Sequence, residues 1–223
     1  LPLSIRRQRQ MCIRDRLKTI ISTLGILIAS PVFAQTLDTE ALARFSPSTQ
    51  RDVFEVCGLA KLSAEQQIKL AKAIEKENAK FVDIVKENEG VLTVKGRNQL
   101  SKMRENALSS ILSDEQLRQY YRGVFDKEAD AEGNAIANGL QKKYNLTDQN
   151  WKFIRVSCYK IALESRVIKK MMADQPKKAQ KMIADLRAKW LKAIEEKGGI
   201  AINPDEMTLT YTREFNPNTL HKE

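Results

Sequence analysis

The apolar residues of this chain recur every three or four positions through most of its length, and this spacing constrains the fold more than any other feature. A period near 3.6 residues places such side chains on one face of an α-helix. The most regular stripe comprises Trp151, Ile154, Cys158, Ile161, Ser165, Ile168 and Met172. The sequence therefore predicts an all-α fold, an antiparallel bundle of about six helices, four of them long.

Capping residues mark where these helices begin. A serine or threonine stands just before several of the stripes, where its side chain can accept hydrogen bonds from the N–H groups of the first helical turn. A further helix is expected from about Gly96 to Ile111, and Gly198 with Gly199 should end the last one. The expected starts are Ser46, Ser63, Ser113, Thr147 and, with proline in the first helical position, Pro176.

Two features interrupt this regular pattern. The helix that follows Ser113 contains Gly123, Gly133 and Gly139, so we expect it to bend or break. The last segment, residues 200–223, contains two prolines and an alternating stretch at residues 208–212, which indicates an extended tail. The expected organisation is thus a helical domain at residues 35–199 followed by that tail.

The N-terminal residues do not fit a helical protein. Residues 6–15 read RRQRQMCIRD, which resembles the translation of a transposon adapter used in sequencing libraries. We interpret residues 1–16 as a non-native segment and exclude them from the fold. The alternative is a genuine basic arm.

Residues 17–34 resemble a secretory signal peptide. Lys18 supplies positive charge, residues 20–29 are mostly apolar, and Val32 and Ala34 stand where cleavage before Gln35 requires them. The apolar run is shorter than the roughly 20 residues of a membrane span. We expect a periplasmic or secreted protein that contacts the membrane only through this cleaved segment.

The net charge falls when this N-terminal region is set aside. Residues 1–34 hold six of the 38 lysines and arginines and one of the 28 acids, so the net charge of +10 becomes +5 for the remainder. Binding to nucleic acid needs a clustered basic surface and usually a known motif. We therefore expect no nucleic-acid partner.

The cysteines leave two alternatives open. Cys12 lies in the excluded segment, which leaves Cys57 and Cys158. In an oxidising compartment these two can form a disulfide, and the large loop that it closes would stabilise the fold by about 4–5 kcal/mol in the chain-entropy treatment. The other interpretation is two buried thiols.

The residues that catalysis usually needs are scarce. The single histidine, His221, lies near the C-terminus, which argues against histidine-based triads and metal sites. The acids of residues 126–132 resemble a calcium loop, but Ala131 stands where that loop requires glycine. An exposed helix face is the simpler interpretation of them. We expect no enzyme activity, cofactor or metal.

Two short motifs carry a resemblance to a known family. LSAEQ at residues 62–66 and LSDEQ at residues 112–116 are similar to the LTxxQ motif of the Spy/CpxP-type periplasmic chaperones, with serine replacing threonine. A third site, LTDQ at residues 146–149, has its glutamine one position early. The residues that define the two copies are Leu62, Ser63, Gln66, Leu112, Ser113 and Gln116.

The resemblance implies a function and a quaternary structure. Proteins of that family are helical, form cradle-shaped dimers and bind unfolded clients without ATP. In this chain it implies a concave client-binding face near residues such as Lys72, Lys76, Phe81, Arg104 and Arg118, and a homodimer. The alternative function is a structural or adaptor protein of the envelope that binds one specific partner. An enzyme or sugar-binding protein is the least favoured hypothesis.

Overall fold

The protein is all-α, as the sequence predicts, in a computed structural model that describes residues 37–207. The described part contains seven α-helices and no strand, followed by a short 3-10 turn at Pro204–Met207. The helices are α1 (Thr39–Leu42), α2 (Pro47–Leu59), α3 (Ala64–Glu87), α4 (Val94–Ile111), α5 (Asp114–Tyr144), α6 (Asp148–Met171) and α7 (Pro176–Gly198). The seventh helix beyond the predicted six is the four-residue α1, which Asp38 caps.

The helix starts confirm the capping predictions. Ser46, Ser63, Ser113 and Thr147 are each extended, and each side chain accepts a hydrogen bond from a backbone N–H of the first turn. Helix α4 begins earlier than expected, because Thr93 caps it through the N–H of Gly96. Pro176 begins α7, as predicted.

The two largest of the four hydrophobic clusters in the described residues lie at opposite ends of the long antiparallel pair α5 and α6. The first core joins α2, α3 and the end of α4 to the start of α5. The second core joins the end of α5 and the start of α6 to the end of α7. The buried first-core residues include Val53, Leu70, Ile74, Leu108 and Leu117, and those of the second include Ile136, Leu140, Ile154, Ile161 and Ile194. Helices α5 and α6 therefore connect the two cores.

The expected break in α5 does not occur. This helix runs without interruption from Asp114 to Tyr144, through all three glycines. Gly133 lies against the backbone of α6, where a Cβ atom would come within 2.7 Å of the Tyr159 nitrogen. Gly123 lies under the side chain of Leu59. The prediction was wrong because these two glycines permit close packing between helices instead of ending one.

The tail is described only in part, and the N-terminal region of residues 1–36 lies outside the described residues. The structure shows the tail as far as the 3-10 turn, where the Glu206 carboxylate accepts hydrogen bonds from Lys143 and Tyr144. Residues 208–223 lie outside the described residues, as do residues 1–36 with the adapter-like segment and the signal peptide. Within residues 37–207, no helix is both long and apolar enough to cross a membrane.

Candidate functional site

Both LSxxQ motifs form complete capping boxes. At the start of α3, the Ser63 hydroxyl accepts from the Gln66 N–H at 3.2 Å, and the Gln66 side chain accepts from the Ser63 N–H at 2.9 Å. At the start of α5, Ser113 and Gln116 make the same pair of bonds, at 3.3 and 2.9 Å. Each motif thus satisfies two otherwise unpaired donors of its own helix.

The two glutamines also bind each other. The Gln66 Nε2 group donates to Gln116 Oε1 at 2.9 Å, and Gln116 Nε2 donates to Gln66 Oε1 at 3.0 Å. Gln66 Nε2 also donates to the Ile111 carbonyl at 2.8 Å, and Gln116 Nε2 donates to the Lys61 carbonyl. Each of these carbonyls belongs to the residue just before the leucine of the other motif. The motifs are therefore joined reciprocally, by equivalent bonds in both directions.

The leucines of the two motifs pack into the core next to this junction. Leu62 and Leu112 are both buried in the first core. Because the leucine packs inward while the serine and glutamine bind the backbone, each motif fixes both the start of its helix and its position on the core. The junction holds the starts of α3 and α5 together, which also fixes the α3–α4 hairpin between them.

The third motif makes a different bond. Thr147 caps α6 through the N–H of Asn150, and Leu146 is buried in the second core. Asn150, at the position where the other motifs have glutamine, donates to the carbonyl of Gly198 at 3.1 Å. The third site therefore links the start of α6 to the end of α7, and the early Gln149 is not part of that link.

The residues that the family resemblance implies for client binding differ in their exposure to solvent and in their ion pairs. Lys72 and Lys76 are exposed on α3, and Phe81 is half-buried. Arg104 is held between the carboxylates of Glu77 and Asp52, at 2.5 and 3.1 Å. Because two acids neutralise it, Arg104 holds α2, α3 and α4 together and does not present its charge outward. Arg118 lies 3.8 Å from Glu164 on α6.

Three of the eight exposed large apolar side chains in the described residues lie towards the end of the α3–α4 hairpin. Val82, Val91 and Val94 are 45%, 61% and 71% exposed. Between the two helices, buried Ile84 packs directly against Gly96. Neither Ile84 nor Leu100 belongs to the first core, so this end of the hairpin extends beyond it.

The acidic segment of residues 126–132 pairs with α6. Asp126 accepts from the Tyr159 hydroxyl at 2.6 Å, and this bond raises the pKa of Tyr159 to about 12. Asp130 pairs with Arg155 at 2.6 Å and Glu132 with Arg166 at 2.5 Å. These carboxylates hold α5 to α6, and no cluster of potential metal ligands occurs among the described residues.

The two cysteines, both within the described residues, are not joined by a disulfide. Cys57 lies in the first core, on α2, and Cys158 lies in the second core, on α6. The disulfide that the sequence allowed is therefore not formed, because the fold places the two side chains in separate cores. Burial raises the pKa of the Cys57 thiol to about 11 and that of Cys158 to about 12.

These two thiols should be unreactive in the folded protein. The thiolate is the reacting form, so at pH 8 we expect alkylation to be slower than in denaturant by about a hundredfold at Cys57 and about a thousandfold at Cys158. Mass spectrometry of labelled peptides would measure each residue separately. Rapid labelling of the native protein, or a linked Cys57–Cys158 peptide in the oxidised protein, would contradict this expectation.

The fold and the joined motifs define the molecule as a helical bundle protein with a capped, projecting hairpin. No family model matches the chain, and comparisons with curated proteins and with solved structures find no match.

Proposed function

We propose that this protein is exported to the bacterial envelope and binds unfolded client proteins there without ATP, with the end of the α3–α4 hairpin as a client-binding surface. The observation that carries the proposal is the exposure of Val82, Val91 and Val94 on a hairpin whose base is fixed by the joined motifs. Exposed apolar side chains that gather in one region of a surface commonly mark an interaction site.

The exposed charges on this hairpin are of both signs, as are those of an unfolded client. Lys86 and Lys95, on the same hairpin as the valines, are exposed, and so are Asp83 and Glu87. An unfolded chain exposes apolar side chains together with charges of both signs, so a mixed surface can hold many different segments weakly. Binding the unfolded form in this way lowers its tendency to aggregate.

The signal-peptide-like residues 17–34 support the location, and the resemblance of the LSxxQ motifs to those of the Spy/CpxP-type chaperones supports the client-binding role. The resemblance also suggests a homodimer. No catalytic step is part of the proposal.

A light-scattering assay with a chemically unfolded client tests this function. Residues 35–223 should suppress client aggregation at an equimolar ratio. Val82→Ser should weaken client affinity by about fivefold, since a buried valine side chain contributes on the order of 1 kcal/mol. Val156→Ser is the matched control, because Val156 is 41% exposed on α6, away from the hairpin.

The outcomes separate the two candidate functions. Unchanged scattering even at a large excess of protein would rule out a general chaperone and favour an adaptor that binds one envelope partner. Suppression that Val82→Ser and Val156→Ser reduce equally would support client binding but place it elsewhere than the hairpin.

A further inference from the structure

A groove of about 260 Å³ lies along the last turns of α5, at the second core. Its lining is apolar except at one end, where Lys143 and Glu206 form an ion pair of 2.5 Å. The lining residues are Ala135, Ile136, Gly139, Leu140, Lys143 and Glu206.

Gly139 keeps this groove open. A Cβ atom at this position would meet nothing within 4 Å, whereas one at Gly133 would strike the backbone of α6. Glycine in a helix interior destabilises the helix relative to alanine. Helix packing within the described residues therefore accounts for Gly133 but not for Gly139, whose missing side chain leaves space along the groove.

The chain leaves the described structure at the charged end of the groove. Glu206 accepts hydrogen bonds from Lys143 and, at 3.0 Å, from the Tyr144 hydroxyl, and these bonds lower the pKa of its carboxyl. The 3-10 turn ends one residue later, at Met207. The tail is thus held at the rim of the groove just before residues 208–223 begin.

We propose that residues 208–212 of the tail bind in this groove as an extended segment, with Leu209 and Tyr211 directed into it. Residues two apart in an extended chain lie on the same side, so Leu209 and Tyr211 share one face while the three threonines share the other. The groove exceeds the roughly 150 Å³ that accommodates a benzene ring in an engineered cavity, so an aromatic side chain fits.

The lengths agree with this placement. From Ala135 to Lys143 the helix rises about 12 Å, at 1.5 Å per residue. An extended chain advances about 3.3 Å per residue, so Leu209 and Tyr211 lie within about 10 and 17 Å of Glu206. The segment that follows the ion pair can therefore reach along the whole groove. This proposal is independent of the client-binding function, because the groove adjoins the second core and the hairpin adjoins the first.

Limited trypsin digestion of the full chain tests the proposal. Cleavage after Arg213 releases residues 214–223, and mass spectrometry measures the rate of release. A bound segment resists cleavage, so Gly139→Leu, which fills the groove, should raise this rate by about tenfold. Gly58→Leu is the matched control, since Gly58 is also a helical glycine with open space around it.

A second pair of variants leaves the helical bundle untouched. Leu209→Asp should accelerate release as Gly139→Leu does, whereas Thr210→Asp, on the opposite face, should change the rate by less than about twofold. Equal rates for Gly139→Leu and Gly58→Leu, or for Leu209→Asp and Thr210→Asp, would overturn the proposal. Protection that increases with protein concentration would also overturn it, because the bound segment would then belong to a second copy.

Discussion

Gly133→Ala is expected to destabilise the protein by about 3 kcal/mol, the upper part of the range for overpacking a core. The added methyl group would lie 2.7 and 2.8 Å from the Tyr159 nitrogen and Cα atoms. Those are backbone atoms within α6, so no side-chain rotation can relieve the contact, and the two helices must move apart. The loss of close packing outweighs the gain of about 1 kcal/mol in helix propensity.

Gly139→Ala provides the matched control for this prediction. It makes the same change in the same helix, at a position where a Cβ atom meets nothing within 4 Å. Packing within residues 37–207 leaves only the helix-propensity effect there, and a single methyl group, unlike the leucine side chain, is too small to fill the groove proposed for the tail. The free energy of unfolding should therefore increase by about 0.5–1 kcal/mol. Urea denaturation of both variants gives the comparison. Changes of the same sign would mean that the close approach of α5 and α6 does not limit stability.

The contrast between these two glycines shows where sequence interpretation fails. A glycine inside a helical pattern indicates a break, a bend or a close contact, and the neighbouring sequence does not distinguish these cases. Whether a glycine of α5 makes a close contact depends on which residue of α6 lies opposite it in the fold. The cysteines pose the same problem, because their sequence positions do not show that α2 and α6 place them in different cores.

Structural features that depend only on residues adjacent in the sequence are predicted well. The sequence predicts the caps at Ser63, Ser113 and Thr147 because a cap requires only the next three residues. The mutual bonds of Gln66 and Gln116 were not predicted, since the two residues are 50 positions apart. The one available signal was the repetition of glutamine at the same place in both motifs.

That repetition has a physical reason, which the second large prediction tests. A capping box accepts either glutamate or glutamine at its third helical position. A carboxylate there could accept from the Ser63 N–H but could not donate to the Ile111 carbonyl or to Gln116 Oε1. An amide does both at once, so the junction between the motifs requires glutamine, whereas the cap alone does not.

We expect Gln66→Glu to lower the free energy of unfolding by about 1–3 kcal/mol, because two acceptors lose their donor while the cap is retained. Gln66→Ala should cost about as much, and Gln119→Ala is the control, since Gln119 is exposed and bonds only to Glu115 on its own helix. A destabilisation by Gln66→Glu no larger than that by Gln119→Ala would mean that the cross-motif bonds contribute nothing.

A double-mutant cycle separates the junction from the two caps. If Gln66 and Gln116 acted only within their own helices, the effects of Gln66→Ala and Gln116→Ala would add. Because each amide bonds to the other, the double variant should be less destabilised than the sum of the single variants by about 1 kcal/mol or more. Such coupling would identify the paired motifs as one structural unit that holds the hairpin in place. Additive effects would mean that the two motifs are independent helix caps.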